Sequence, residues 1–379
     1  MNVARLLALG RLVSLSGGSA AYIALVAAIY GETGSALWVS AAIFSSVVAS
    51  VASAPGAGWI GDRFDRRRVL IGSDVAAAVV SLAMAATAND AAALVVLLGV
   101  SSVAQSPFEP ASAAALPTLV PKADVPRANA LIAATSSAGY LLGPLLGGAV
   151  LSVGASPAAL FAVDAGTFVC SAVLVILIGR PFGRGRTEEH PGALAGLRLI
   201  ARERGLRLPV LAGMVSLVGI GIANVAAYPL SLRLDGGTAG YGAMTALLGG
   251  GGLLGAALAG RMLRSGPVRV LAAGYVTSAA GLGLAGVAPI LAVGLAGMAL
   301  AGAGNGLGDV ATVTLIQARA PNEVRSRVFA AQDGAAHASF SVSAFTGGLL
   351  VQFAGPHGAF TTAAAFGFGA AVLASRTPH

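Results

Sequence analysis

Six ionisable side chains stand inside stretches that are otherwise apolar, and each could exchange a proton. Glu109 lies in SPFEPA, between Pro107 and Pro110, and Asp309 lies in GNGLGDV behind Gly304, Gly306 and Gly308. An ionisable group in hydrocarbon is costly, so it marks a substrate, ion or proton site by default. A carboxyl there is placed to take up and release a proton near neutral pH. The alternative is a structural acid bonded to a neighbouring helix. Asp164, in FAVDAGTF, lies about 10 Å into its segment at 1.5 Å per residue and suits a hydrogen bond between helices. Asp333 and His337 are four residues apart, so they share a helix face and suit a local ion pair or a proton relay. Asp74 falls near a basic loop and is expected to pair with its arginines.

These groups must be held by membrane helices. Of 379 residues, 56% are hydrophobic and 10% charged, against about 25% charged in a soluble domain. Uncharged apolar stretches long enough to span a bilayer recur throughout. Short alternating segments of the barrel kind are absent from the pattern, so the expected fold class is an all-α membrane protein. Gly, Pro and charge punctuate twelve spans, at 10–30, 37–60, 69–88, 92–115, 127–152, 157–179, 208–232, 239–262, 268–287, 290–315, 327–352 and 358–375. Glu109 and Asp309 then fall in spans 4 and 10, Asp164 in span 6, and Asp333 with His337 in span 11.

With twelve spans, all of the 23 Lys and Arg residues except Arg233 lie on one side. Such asymmetry sets both termini in the cytoplasm of a multi-pass protein of the cell membrane. It also accounts for the net charge of +8 without nucleic acid, leaving an attraction to anionic membrane lipids. The basic start of the chain is read as a retained first helix. Arg11 interrupts the apolar region of a would-be signal peptide, and the hydrophobic run continues to Tyr30. Cys170 is the single cysteine, so neither an intrachain disulfide nor a thiolate metal cluster can form. No cofactor or metal site is expected.

A repeat organises the chain. PTLVPKADVPRANAL at 117–131 has a counterpart in IQARAPNEVRSRVFA at 316–330, where Pro121 matches Pro321 and Arg127 matches Arg327, each offset by 200 residues. Glu109 and Asp309 share that offset. The domains are therefore a six-helix bundle at 1–180, a cytoplasmic linker with a short amphipathic helix at 181–207, and a second bundle at 208–379. A duplicated bundle of this kind is expected to hold substrate between its halves.

The residues resemble the major facilitator superfamily. The loop after span 2 is similar to its signature, with Gly58, Asp62, Arg63, Arg67 and Arg68 in place and Asp65 where the signature has Gly. Span 5 reads GYLLGPLLGG and resembles the superfamily's antiporter motif through Gly139, Gly143, Pro144, Gly147 and Gly148. Further strings resemble the branch of macrolide and enterobactin exporters. The resemblance implies two pseudo-symmetric six-helix bundles and a monomeric exporter. Its partners are a small amphipathic molecule and protons, exchanged by alternating access. Asp62 is then expected to latch a helix of the other half, near Arg325–Arg327. Many drug antiporters carry an Arg three residues before a Gln in span 4. Here Ser102 precedes Gln105, which places proton coupling on Glu109 and the other carboxylates.

A dedicated exporter of one metabolite, siderophore or lipid is the other transporter reading. A membrane-embedded enzyme or sensor is a third. GLGLAG at 281–286 fits a dinucleotide motif but lacks its strand and helix context, so its glycines imply close helix packing. GLGD at 306–309 resembles a motif of intramembrane aspartyl proteases, yet the Tyr-Asp and Pro-Ala-Leu strings of that family do not occur.

Overall fold

A computed structural model describes the backbone of residues 2–179, 182, 194–321 and 325–378. Every long element among the described residues is helical. In chain order these are α1 (Asn2–Thr33), α2 (Ala36–Arg63), α3 (Arg66–Ala86), α4 (Ala91–Gln105), α5 (Phe108–Leu119), α6 (Val125–Ser152) and α7 (Pro157–Leu177). A short helix α8 (Leu194–Arg202) follows, then α9 (Arg204–Arg233), α10 (Gly237–Met262), α11 (Pro267–Gly286), α12 (Leu291–Arg319) and α13 (Arg325–Ser375).

Local chemistry sets the ends of these helices. Ser35, Asp90 and Ser156 cap α2, α4 and α7 by accepting from Leu37 N, Ala93 N and Ala159 N. Each cap satisfies a backbone donor that a helix start leaves unpaired. Among the described residues, eleven helical segments are long and apolar enough to cross a membrane. The last of them runs through α13, where Gly355 takes φ +69° and Pro356 follows. Glycine adopts that left-handed conformation without a Cβ penalty, so the rod divides into 325–354 and 356–375 and twelve spans result. Span 4 is Ala91–Leu119, interrupted between α4 and α5 at Ser106–Pro107. Proline there removes a backbone donor.

The chain divides into two compact units, Met1–Glu189 and His190–His379. In the first, α1 packs on α6 and α7, α3 on α7 and α4, and α2 on α4. In the second, α9 packs on α13, α12 on both α10 and α11, and α11 on α13. Spans Ala91–Leu119 and Leu291–Arg319 keep the 200-residue offset at both ends, so Glu109 and Asp309 hold the same position in the two copies. The short helix expected in the linker is α8. Its Ile200 is buried with Leu206, Val210, Ile316 and Val328, so α8 belongs with the second unit. Of the rest of the expected linker, 181 and 183–193 lie outside the described residues, and 204–207 form the first turn of α9.

Candidate transport site

In the second unit α12 carries the site. Its glycines face two neighbours at once. A Cβ at Gly306 would strike the Gly252 carbonyl of α10, and one at Gly304 would strike the Ser278 backbone of α11. The face left over presents Asn305, Asp309 and Thr312, one helical stripe, to a cavity of about 190 Å³. Ser216 of α9, Tyr275 of α11 and Gln332 of α13 complete its polar lining, and Val210, Met214 and Leu217 its apolar part. Thr312 Oγ donates to the Gly308 carbonyl at 2.8 Å, and Tyr275 lines the same cavity beside it. Asp309 itself is exposed to the cavity. Among the described residues its carboxylate has no hydrogen-bond or ion-pair partner. At 1.5 Å per residue it lies about 6 Å from the midpoint of α12.

Glu109 in the first unit is differently placed. It forms an ion pair with Arg11 of α1, Nη2 to Oε2 at 2.6 Å, and 69% of its side-chain surface is exposed against 21% for Arg11. The Arg11 guanidinium also stands 5.7 Å from the centre of the Phe108 ring. Sequence reasoning treated Arg11 only as an orienting charge. The signal that finds it is its own position inside an apolar span, by the rule applied to the acids. Tyr275, Asn305, Thr312 and Gln332 carried no comparable signal, being uncharged.

The remaining candidates separate. Asp164 is 5% exposed and accepts from Ser81 Oγ of α3 at 2.7 Å, an interhelical bond of the kind expected. His337 Nδ1 is 3.5 Å from Asp333 Oδ2, with both side chains more than half exposed, and the same nitrogen lies 2.9 Å from the Asp333 carbonyl. That is a local helix-surface pair. Asp74 differs from its expectation. It is 2% exposed, and its Oδ2 is buried without a hydrogen-bond partner among the described residues. The loop arginines are engaged elsewhere. Arg66 donates to the Ala114 carbonyl at 2.9 Å, Arg67 donates to the Ile176 carbonyl, and Arg63 lies over Trp59 at 5.4 Å.

The signature loop folds without its usual glycine. Phe64 is extended, and Asp65 caps α3 by accepting from Arg68 N at 3.2 Å. Its φ of −60° asks for no glycine. Gly58 and Asp62 fall in the last turns of α2. Their surroundings lie outside the described residues, as do the side chain of Arg327 and with it the expected latch. In α6, Gly139, Gly143 and Gly147 line one face against Leu12–Ala20 of α1, where any Cβ would meet backbone or side chain within 2.8 Å. Pro144 stands inside the same helix, beside Gly148.

Comparison with known proteins agrees with this architecture. A family model described as Major Facilitator Superfamily matches residues 7–264 and 209–378. The chain is 29% identical over 345 residues to the uncharacterized MFS-type transporter YfiS of Bacillus subtilis, covering 86% of this chain and 81% of that one. It is 27% identical over 222 residues to the enterobactin exporter EntS of Citrobacter koseri, covering 57% and 52%. The solved structure of a bacterial homologue of the lysosomal transporter Spinster superposes with a TM-score of 0.78 at 14% identity, covering 99% and 96%. A bacterial homologue of the iron transporter ferroportin gives 0.77 at 16%, covering 99% and 98%. Structures this distant in sequence speak for the fold alone. The family model supplies the rest: the chain belongs to the major facilitator superfamily and is a membrane transporter, not an enzyme.

Proposed function

We propose that the protein is a proton-driven exporter of a small amphipathic molecule, with Asp309 as the carboxyl that proton and substrate share. The observation that carries this reading is the Asp309 carboxylate itself, unpaired among the described residues and open to a cavity of about 190 Å³. An unpaired carboxylate at membrane depth is expensive, so its retention needs a ligand that neutralises it in turn. The cavity is smaller than the roughly 300 Å³ of ordinary small-molecule pockets, so it takes a proton or the polar end of a substrate. The exporter-like motif of α6 and the similarity to an enterobactin exporter support outward transport. The arginine distribution supports insertion in the cell membrane with both termini cytoplasmic. The site works in a monomer and needs only substrate, protons and membrane lipid.

The test is a screen of fluorescent amphipathic dyes in an efflux-deficient host, with and without a protonophore. It is followed by reconstitution of the wild type and Asp309→Asn. The variant should fold, keep its melting temperature and lose export driven by a pH gradient. Wild-type dependence on that gradient in Asp309→Asn would refute the assignment. The similarity to the enterobactin exporter also favours a narrower reading, a dedicated siderophore exporter. Release of enterobactin without any dye export would select it.

A further inference from the structure

The hydrogen-bonding character of the second unit's cavity is uneven, and two of its lining groups can only accept. One is the Asp309 carboxylate in its ionised form. The other is Thr312, which is 5% exposed. Its single hydroxyl hydrogen is committed to the Gly308 carbonyl at 2.8 Å, so its oxygen meets the cavity with lone pairs alone. Residues three apart on a helix stand about 5–6 Å from each other at Cβ, a span that two N–H groups of one ammonium or guanidinium bridge. The Ser216 and Tyr275 hydroxyls and the Asn305 and Gln332 amides share the lining. Each can donate or accept, so they leave the sign of a ligand to the other two. Among the described residues no Lys, Arg or His lines the cavity. The flanking cations are engaged elsewhere. Arg319, at the end of α12, donates to the Gly205 and Pro378 carbonyls, and Arg207, at the start of α9, donates to the Ala201 carbonyl at 3.3 Å.

Resting on the reading that proton and substrate share Asp309, we infer that the substrate is headed by a cation bearing N–H groups, held between Asp309 and Thr312. Charge selects the sign. A carboxylate with no cation beside it is matched by a positive head group, whereas an anionic head would add a second unpaired charge in a poorly solvated site. Thr312 selects the kind of cation. A primary or secondary ammonium gives one hydrogen to the carboxylate and another to the Thr312 oxygen, a charge-assisted pair of bonds. A quaternary ammonium carries the same charge and offers neither, and a site built around hydrogen bonds discriminates against an analogue that lacks them. Asp309 is thus the residue that reads charge, and Thr312 the residue that reads hydrogen. The apolar wall supplied by α9 covers the carbon stem behind the head group. The cavity of about 190 Å³ leaves the larger apolar part of such a molecule outside it.

The test is calorimetric titration of the purified full-length protein at neutral pH with four compounds that share one tail. They are 3-phenylpropylamine, its N,N,N-trimethylammonium counterpart, 3-phenylpropanol and 3-phenylpropanoate. The primary amine should bind roughly tenfold or more tighter than the alcohol and the quaternary ammonium, and the carboxylate should give no saturable heat. Asp309→Asn should bring the amine down to the level of the alcohol. Thr312→Val should weaken the amine by roughly threefold or more and leave the quaternary ammonium unchanged, and Thr312→Ser should keep the wild-type preference. The comparison of compounds on the wild type decides the matter even where a variant folds poorly. An amine without saturable heat, a carboxylate or quaternary ammonium that binds as tightly as the amine, or equal weakening of both cations in Thr312→Val would each overturn the inference. Amine binding that needs Asp309, with export indifferent to a pH gradient, would overturn the proton-driven reading alone. Gradient-driven dye export that needs Asp309, without any preference for the amine, would overturn this inference alone.

Discussion

Gly143→Ala tests whether the glycine motif of α6 is a packing device. A Cβ built at Gly143 would stand 2.5 Å from Ser19 Cβ and 2.6 Å from the Ser16 carbonyl oxygen. Carbon atoms rest about 3.5–4.0 Å apart, so the added methyl lacks roughly 1 Å of room. Ser16 O is backbone, and no rotamer change moves it. The helices α1 and α6 must separate, and the same face carries Gly139 and Gly147, whose own close approaches to α1 loosen together with it. Overpacking of this sort costs about 1–3 kcal/mol. At roughly 2–4 °C per kcal/mol for a large domain, the melting temperature should fall by about 2–12 °C. The assay is the intrinsic fluorescence of Trp38 and Trp59 during heating of the purified protein. Gly72→Ala supplies the control, since nothing lies within 4 Å of its Cβ position. There the helix propensity of alanine should add about 0.4–1 kcal/mol. Gly143→Ala melting at or above the wild type, or Gly72→Ala losing as much as Gly143→Ala, would refute the packing argument.

Two further outcomes follow from the geometry. Asp65→Ala removes the side chain that accepts from Arg68 N at 3.2 Å and should destabilise by about 1 kcal/mol. Asp65→Gly, the residue of the family signature, should cost only about a few tenths of that unit, and the two melting curves decide. His337→Ala breaks an ion pair whose side chains are 58% and 75% exposed. It should change stability by less than about 0.5 kcal/mol and leave export intact, whereas loss of gradient-driven export would reinstate the proton relay.

The span count and the repeat could be read from residue types because hydrocarbon permits few other arrangements. The twelve spans stand, with span 4 broken where Pro107 forecasts it and spans 11 and 12 parted at Gly355. Asp164 was also legible, since an acid in an apolar span with no charge nearby needs a hydroxyl, and Ser81 supplies it. Pairing was less legible. Asp74 looked like a partner for Arg66–Arg68 because those residues are near in sequence. Helical periodicity turns it inward to a buried position, while the loop arginines reach carbonyls of α5 and α7. The polar lining around Asp309 was hidden for another reason. Asn, Thr and Gln are cheap enough in membrane helices to need no special account, so only the tertiary arrangement distinguishes a lining residue from a packing one.

The glycines and the acid of α12 form one device. Gly302 and Gly306 accept the backbone of α10, and Gly297 and Gly304 accept that of α11. With 3.6 residues per turn, those two requirements fix the rotation of α12 about its axis. Residues 305, 309 and 312 are then left on the stripe that faces α9 and α13. Gly308 completes the placement, because a Cβ there would stand 3.0 Å from the Tyr275 ring. That ring could not rest one residue before Asp309 beside Thr312. A bulky residue at any of these glycines would rotate or shift α12 and carry the carboxylate out of its cavity without touching it. The GNGLGDV string is therefore a single unit, in which the spacing of glycines sets the direction in which the one charged side chain points.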